Sequence, residues 1–290
     1  MLTKLELHEK IAAGIRLLDG ATGSNLMKAG MPRGCCTEEW VLANPEALVR
    51  LQRQYAEAGS QILYAPTFQA QPIALEQVKL DRQTEAVNAQ LVSLTRSAAP
   101  DCLVAGDLTT LAAFTDSWDP DKFELLVENY RRQIRGLIDG GADLLVAETL
   151  MYPQEAEAIL TAGELEGAGA IMYSFTMQSG GYLFSGIEAG PVLKDLEDAG
   201  AAAVGFNCVA ADRFTPALVS QLRRFVRGPL LCKPNAGNPV IGADGIAHYP
   251  MDPEEFAGIL SECRQMGAAL VGGCCGTTPD HIRAVKNRLL

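Results

Sequence analysis

The stretch DKFELLVENYRRQIRGLIDGGADLLVAET, residues 121–149, sets the fold. It begins as an amphipathic helical segment that stops at Gly140 and Gly141, where helices are expected to end. It finishes as DLLVAET (143–149), an apolar run closed by an acid and a hydroxyl residue. Unbroken apolarity in so short a run suits a strand buried on both faces, as in a parallel sheet. The same pairing recurs in both directions along the chain. Further apolar runs stand at 15–21 (IRLLDGA), 61–68 (QILYAPTF), 102–108 (CLVAGDL), 170–175 (AIMYSF), 202–208 (AAVGFNC), 230–236 (LLCKPNA) and 269–275 (ALVGGCC). Helical patterns separate several of them. PEALVRLQRQYAEAG (45–59) opens on Pro and closes on Gly, PVLKDLEDAG (191–200) closes on Gly, and MDPEEFAGILSECRQMG (251–267) repeats the theme. Thr278 and Pro279 predict the cap and first turn of a last helix.

Eight strands alternating with helices, with no low-complexity linker, predict an α/β chain folded as a (β/α)8 TIM barrel, a single domain over residues 1–290. A doubly wound open sheet is the competing architecture. It opens with G-x-G-x-x-G after its first strand, and DGATGSN (19–25) lacks that spacing. WDP (118–120) and NPVIGADGIAHYP (238–250) read as loops.

Composition narrows the function classes. The chain is 48% apolar and 20% charged, which excludes a structureless polymer. Its formal net charge is −11 and no Lys/Arg run occurs, so neither nucleic acid nor an anionic membrane surface is an expected partner. No apolar stretch is long enough to span a bilayer, and MLTKLELHEKIAAG (1–14) lacks the apolar centre of a secretory leader. Eight cysteines in a long, cysteine-dilute chain predict free thiols in a reducing cytoplasm rather than a disulfide framework.

Barrel enzymes gather their chemistry at the C-terminal ends of the strands. There this sequence places Asp19-Gly20-Ala21-Thr22-Gly23, Thr67-Phe68, Glu148-Thr149, Asn207-Cys208, Lys233-Pro234-Asn235 and Cys274-Cys275. Cys208, Cys274 and Cys275 fall on one rim, on strands six and eight, where three thiolates plus an open position make a zinc site. Zinc with three thiolates is a poor Lewis acid for water. It still deprotonates a substrate thiol, whose free pKa is ~8.5, and leaves the sulfur electron-rich, which fits alkyl transfer. The alternatives are a vicinal disulfide at 274–275 and, for Lys233, a Schiff base. Cys102, Cys232 and Cys263 read as packing, Cys35-Cys36 as loop thiols, and His8, His248 and His281 as structural or solvated. The turn Asp19–Gly23 is able to cradle an anion, and Glu148 to meet an ammonium; together they suit an amino acid zwitterion.

Six segments in order, LLDGATGSNL, YAEAGSQILYAPTF, GGADLLVAET, GFNC, KPNAGNP and GGCCGTTPDHI, resemble the homocysteine S-methyltransferase family over nearly the whole chain. The resemblance implies a (β/α)8 barrel that binds zinc through Cys208, Cys274 and Cys275 and methylates the thiolate of homocysteine to methionine. It implies that Asp19, Gly20, Ala21, Thr22, Gly23 and Glu148 hold the amino acid end of homocysteine, and that Asn235 lies close to the zinc. Within the family the likeness is to the branch that forms the homocysteine-binding module of cobalamin-dependent methionine synthase. That branch implies a corrinoid-bound methyl group, methylcobalamin on a separate protein, as donor. The other donors to expect are small onium compounds such as S-methylmethionine or betaine. A further expectation is a homocysteine-binding subunit that is inactive without its corrinoid partner. Pro66 departs from the family's usual Asn at that position.

Overall fold

A computed structural model describes every residue except 15, 113–121, 179, 243–246 and 290. In chain order, helices α1 (Lys4–Ala13), α2 (Gly23–Lys28), α3 (Thr37–Ala43) and α4 (Pro45–Ala58) lead to strand β1 (Ile62–Tyr64). Then come α5 (Pro72–Leu75), α6 (Thr84–Ala98), β2 (Leu103–Thr109), α7 (Phe123–Asp139), β3 (Leu144–Leu150), α8 (Pro153–Glu166), β4 (Ile171–Phe175), α9 (Ala189–Asp198) and β5 (Ala203–Ala210). The chain continues through α10 (Thr215–Leu222), β6 (Leu230–Asn235), β7 (Val240–Ile241), β8 (Ala247–His248), α11 (Pro253–Gln265), β9 (Leu270–Val271) and α12 (Pro279–Leu289). Helix ends follow local chemistry. Thr3 and Glu6 exchange capping bonds at the start of α1, Asp252 Oδ1 accepts from Glu255 N at α11, and Gly59 closes α4 at φ 112°. Thr278 turns its hydroxyl to His281 Nδ1, 3.0 Å away.

Seven strands form one parallel sheet in the order β1-β2-β3-β4-β5-β6-β9. The expected first strand at 15–21 is reduced to two single-residue parallel bridges, Leu17 with Val271 and Leu18 with Ile62. Leu18 N donates to Val271 O at 2.8 Å and Gln61 N to Leu17 O at 2.8 Å, so this segment lies between the two edge strands. The turn at Asp19 begins too soon for a longer ladder. The 238–250 segment also departs from expectation: β7 and β8 pair as a short antiparallel hairpin. WDP (118–120) lies outside the described residues.

Two apolar clusters hold this arrangement. One joins the helices to the outer face of the sheet. The other fills its concave side with Leu18, Ile62, Ala105, Val146, Met172, Leu231 and Leu270, and α1 seals the N-terminal ends of the strands with Leu7 and Ile11. Side chains alternate along a strand, so the residues two positions further share the inner face. Those residues are polar or amphipathic: Tyr64, Asp107, Glu148, Ser174 and Lys233. An apolar floor thus carries a polar layer at the C-terminal end.

Candidate active site

Two strands break register where the chemistry collects. β3 shifts against β4 between Ala147 and Leu150, and β5 against β6 between Asn207 and Ala210. Inside these irregularities Thr149 and Cys208 take positive φ, 61° and 56°, a conformation that non-glycine residues adopt only when their surroundings enforce it. Asn207 braces the rim. Its Oδ1 accepts from Thr149 N at 2.7 Å and Ser174 Oγ at 3.0 Å, and its Nδ2 donates to Thr149 Oγ1 at 2.7 Å and Glu148 Oε2 at 3.3 Å.

Opposite Cys208, the loop after β9 presents Cys274 and Cys275. Cys274 N donates to Pro234 O at 2.7 Å and Ala236 N to Cys275 O at 3.0 Å, which fixes the loop to the end of β6. The glycines here act mainly by close approach. A Cβ on Gly272 would sit 2.7 Å from Leu18 Cβ, and one on Gly273 2.4 Å from Thr277 Oγ1; Gly276 alone among these three has positive φ, 82°.

The sulfurs of Cys208, Cys274 and Cys275 all lie within 4.8 Å of one another, and Cys208 and Cys275 are 3.8 Å apart. Thiolates held tetrahedrally at zinc's usual ~2.3 Å are about 3.8 Å from each other, the separation that Cys208 and Cys275 already have, so these three residues suit that ion. Hydrogen bonds from the Cys208 and Cys274 thiols pull the Cys275 pKa down to about 3, while the shared bonds push Cys208 up. All eight cysteines are free, including the adjacent pair.

The polar layer beneath the sulfurs is dominated by one ammonium. Lys233 Nζ is 3.6 Å from Asp19 Oδ1 and 3.6 Å from Glu148 Oε2, and 4.6 Å above the Tyr64 ring. Burial works to lower its pKa, but the Glu148 and Asp19 charges outweigh it and hold the lysine well above its usual range. One ammonium serves two carboxyls, so burial still raises Asp19 and Glu148 to about 7. A Schiff-base lysine needs a depressed pKa, and this one is held charged.

A cavity of about 560 Å³ opens over these groups, lined on one side by Gly20–Ser24, Asp107, Glu148, Lys233 and the three cysteines. Met27, Pro66, Phe68, Ile241 and Tyr249 give it an apolar wall, and buried Glu38 lies on the side of the α3 start. Asp19 is fully buried and stands behind Lys233, its Oδ2 accepting from Tyr64 N at 2.8 Å; it does not line the cavity. Tyr55 Oη and Thr277 pin the Gly20–Ala21 turn, and a Cβ on Gly20 would meet Tyr55 Oη at 2.6 Å. Asn235 Nδ2 donates to Cys208 O at 3.2 Å, and Asn235 lines a second cavity of about 400 Å³ that shares Cys208 with the first.

Sequence reasoning brought Cys208, Cys274, Cys275, Glu148 and Gly20–Gly23 to this place. It missed Asp107, Tyr64 and Tyr249 and saw in Lys233 only a nucleophile. The available signal was the inner-face alternation: an acid in CLVAGDL and a lysine in LLCK each stand two positions beyond an inward apolar residue.

Comparison with known proteins agrees with this geometry. The homocysteine S-methyltransferase family pattern matches residues 16–289. The chain belongs to the homocysteine S-methyltransferase family. It is 29% identical over 299 residues to a methionine synthase of Mycobacterium leprae and 28% identical over 302 residues to one of Mycobacterium tuberculosis. Each alignment covers 97% of this chain but 25% of the relative, so the chain spans about a quarter of their length. The metallated form of the Escherichia coli homocysteine methyltransferase MmuM superposes with TM-score 0.81 at 29% identity, covering 94% of this chain and 96% of that one. Its apo form gives 0.73 at 28% identity, covering 94% and 95%. No described helix of this family member is long and apolar enough to cross a membrane.

Proposed function

We propose that this protein transfers a methyl group to the thiolate of homocysteine, forming methionine, at a zinc ion held by Cys208, Cys274 and Cys275. The observation that carries the reading is the approach of these three sulfurs to within 4.8 Å at one mouth of the sheet, which we read as an eight-position TIM barrel closed by Leu17–Leu18. When bound, the ion supplies an open position that takes a thiol as its thiolate. The protein's own groups do the rest. The Gly20–Gly23 turn faces the substrate carboxylate, and Glu148 the ammonium. Asp19 acts from behind by holding Lys233. Asn207 and Asn235 fix the strand ends that carry Cys208, and the apolar wall excludes water. The substrate sulfur attacks the methyl carbon in line; the new S–C bond forms as the bond to the donor breaks, and the electron pair leaves with the donor. Cys275→Ser is expected to lose bound zinc and methyl transfer together, checked by metal analysis beside turnover. Full turnover by metal-free protein would refute the reading.

For the donor we favour a corrinoid-bound methyl group carried by a separate protein. The two methionine synthase relatives support this, as do Phe184 and Phe214, two exposed apolar residues that line the smaller cavity beside Cys208. A second reading, a small onium donor such as S-methylmethionine or betaine, is favoured by the match to nearly all of MmuM. Assaying zinc-loaded protein with each onium compound and with methylcobalamin separates the two. Turnover with an onium compound alone removes the need for a corrinoid partner. Free thiols throughout fit action in the cytoplasm.

A further inference from the structure

Lys233 has so far only a supporting part, as the group that Asp19 holds. It stands near the C-terminal end of β6, it is 3% exposed, and it lines the larger cavity. Its Nζ is flanked by Asp19 Oδ1 and Glu148 Oε2, each 3.6 Å away, and by the Tyr64 ring at 4.6 Å. Both ion-pair distances exceed the ~2.7–2.9 Å of a charge-assisted hydrogen bond, and Asp19 Oδ1 accepts no hydrogen bond. The ammonium is therefore held by charge, and its N–H donors remain available to a group in the cavity. Stability alone does not call for such a cluster, because buried ion pairs are often replaced by apolar residues at no loss.

The position of this cation matches one end of the proposed substrate. An amino-acid thiol carries its ammonium and its carboxylate on one carbon atom, so the two charges must be met side by side. In the reading above Glu148 meets the ammonium. The Gly20–Gly23 turn offers the carboxylate N–H groups but no charge. Among the described residues two cationic ones line the cavity, Arg33 and Lys233. Arg33 is exposed, on the chain before α3. Lys233 is buried and adjoins both halves of the site: Glu148 directly, and the turn through Asp19, the residue before Gly20. A full charge shielded from water attracts a carboxylate more strongly than neutral N–H groups alone.

We infer that Lys233 is a specificity-determining residue: its ammonium receives the carboxylate of the amino-acid thiol beside the Gly20–Gly23 turn, and Asp19 and Glu148 keep it in place. The inference rests on the homocysteine reading above. It assigns the choice between amino-acid thiols and thiols without a carboxylate to a residue of β6. It also gives the ion cluster at the cavity floor a task that an apolar cluster could not perform.

The test is isothermal titration calorimetry of zinc-loaded protein with homocysteine and with 3-mercaptopropylamine, the same thiol lacking its carboxylate. Wild type is expected to bind homocysteine at least about 10-fold more tightly, the scale of a charged hydrogen bond. Lys233→Gln should remove most of that ratio by weakening homocysteine, with zinc content unchanged. The amine thiol should bind this variant no more weakly than wild type, since Glu148 no longer shares its charge with a lysine. A purely structural lysine would weaken both ligands alike, and that result overturns the inference. Should Lys233→Gln fail to fold because two acids lose their counter-ion, the charge-balanced double variant Lys233→Gln with Asp19→Asn reads the same ratio. A wild-type ratio near one overturns the inference whatever the variants do. So does either variant, folded and zinc-loaded, that keeps the full ratio. Failure of homocysteine to bind zinc-loaded wild type would instead sink the homocysteine reading, and this inference with it.

Discussion

Asp19 and Glu148 show how single buried groups set the response to pH. Burial raises both carboxyls to about 7, against ~4 in an unfolded chain. Between those values the unfolded chain has released protons that the folded protein keeps, so rising pH favours unfolding. The stability these groups contribute is complete below about 4 and is lost as pH rises through about 7. The surface pairs work the other way. Hydrogen bonds from Arg132 lower Glu85, and bonds from Arg135 and Arg131 lower Glu166. Their contribution is lost only on acidification below the usual carboxylate range, outside this window. Cys275, drawn down to about 3 by its neighbouring thiols, opposes this inside the same window, but two raised carboxyls outweigh one lowered thiol, so the melting temperature of metal-free protein is expected to fall from about pH 4.5 to about pH 7, and Glu148→Gln to flatten that fall. Thermal melts across the range check it; a wild-type profile that rises with pH through this window would contradict the assignment.

Where elements meet, the fit around the cysteine loop depends on the short hairpin that the sequence did not announce. Gly276 follows Cys275 at φ 82°, and a Cβ there would lie 2.2 Å from Tyr249 Cβ, just beyond β8. Gly276→Ala must strain the backbone and displace the hairpin, with an expected cost of about 1–3 kcal/mol. Because the shift moves Cys275, zinc affinity should drop by about 10–100-fold, as when other supports of metal ligands are removed. Chelator competition and a thermal melt measure the two effects, and an Ala variant with unchanged zinc affinity would show that the loop is held from elsewhere. This contact also marks the limit of what the sequence discloses. The doubly buried strands were legible because LLVAE or LVAGD leaves no other period, and the Cys208 and Cys274–Cys275 rim followed from their order. The hairpin was not, because Val240, Ile241, Ala247 and His248 are exposed and carry no burial pattern. The first strand was over-read: IRLLDGA has strand composition, yet Asp19 must turn away to meet Tyr64 N and leaves only Leu17–Leu18 to pair. Lys233 was legible as a residue but not as a role, since its partners come from segments 214 and 85 positions away in sequence.

Among the described residues, α1 plugs the N-terminal ends of the strands with Leu7 and Ile11, so in the proposed reaction homocysteine and the methyl donor both enter from the cysteine side. The two cavities there share Cys208 but differ in character. The larger reaches down to the carboxyls and Lys233, which suits a zwitterion. The smaller runs outward between Phe184, Phe214 and Leu218, with both phenylalanines more than half exposed, at 53% and 54%. An in-line transfer needs the sulfur, the methyl carbon and the leaving atom on one line, and the smaller cavity gives the donor an approach to Cys208 separate from the space that suits the zwitterion. A double variant, Phe184→Ala with Phe214→Ala, is therefore expected to raise KM for the donor several-fold while KM for homocysteine and zinc content stay at wild-type values. The loss should be greater for a methyl group carried on a protein than for a small onium compound, because a protein surface would bury both rings and each buried phenylalanine is worth about 1.5–3 kcal/mol. Steady-state kinetics with the donor varied at saturating homocysteine decide the point. A variant that instead raises KM for homocysteine alone would reverse the assignment of the two cavities.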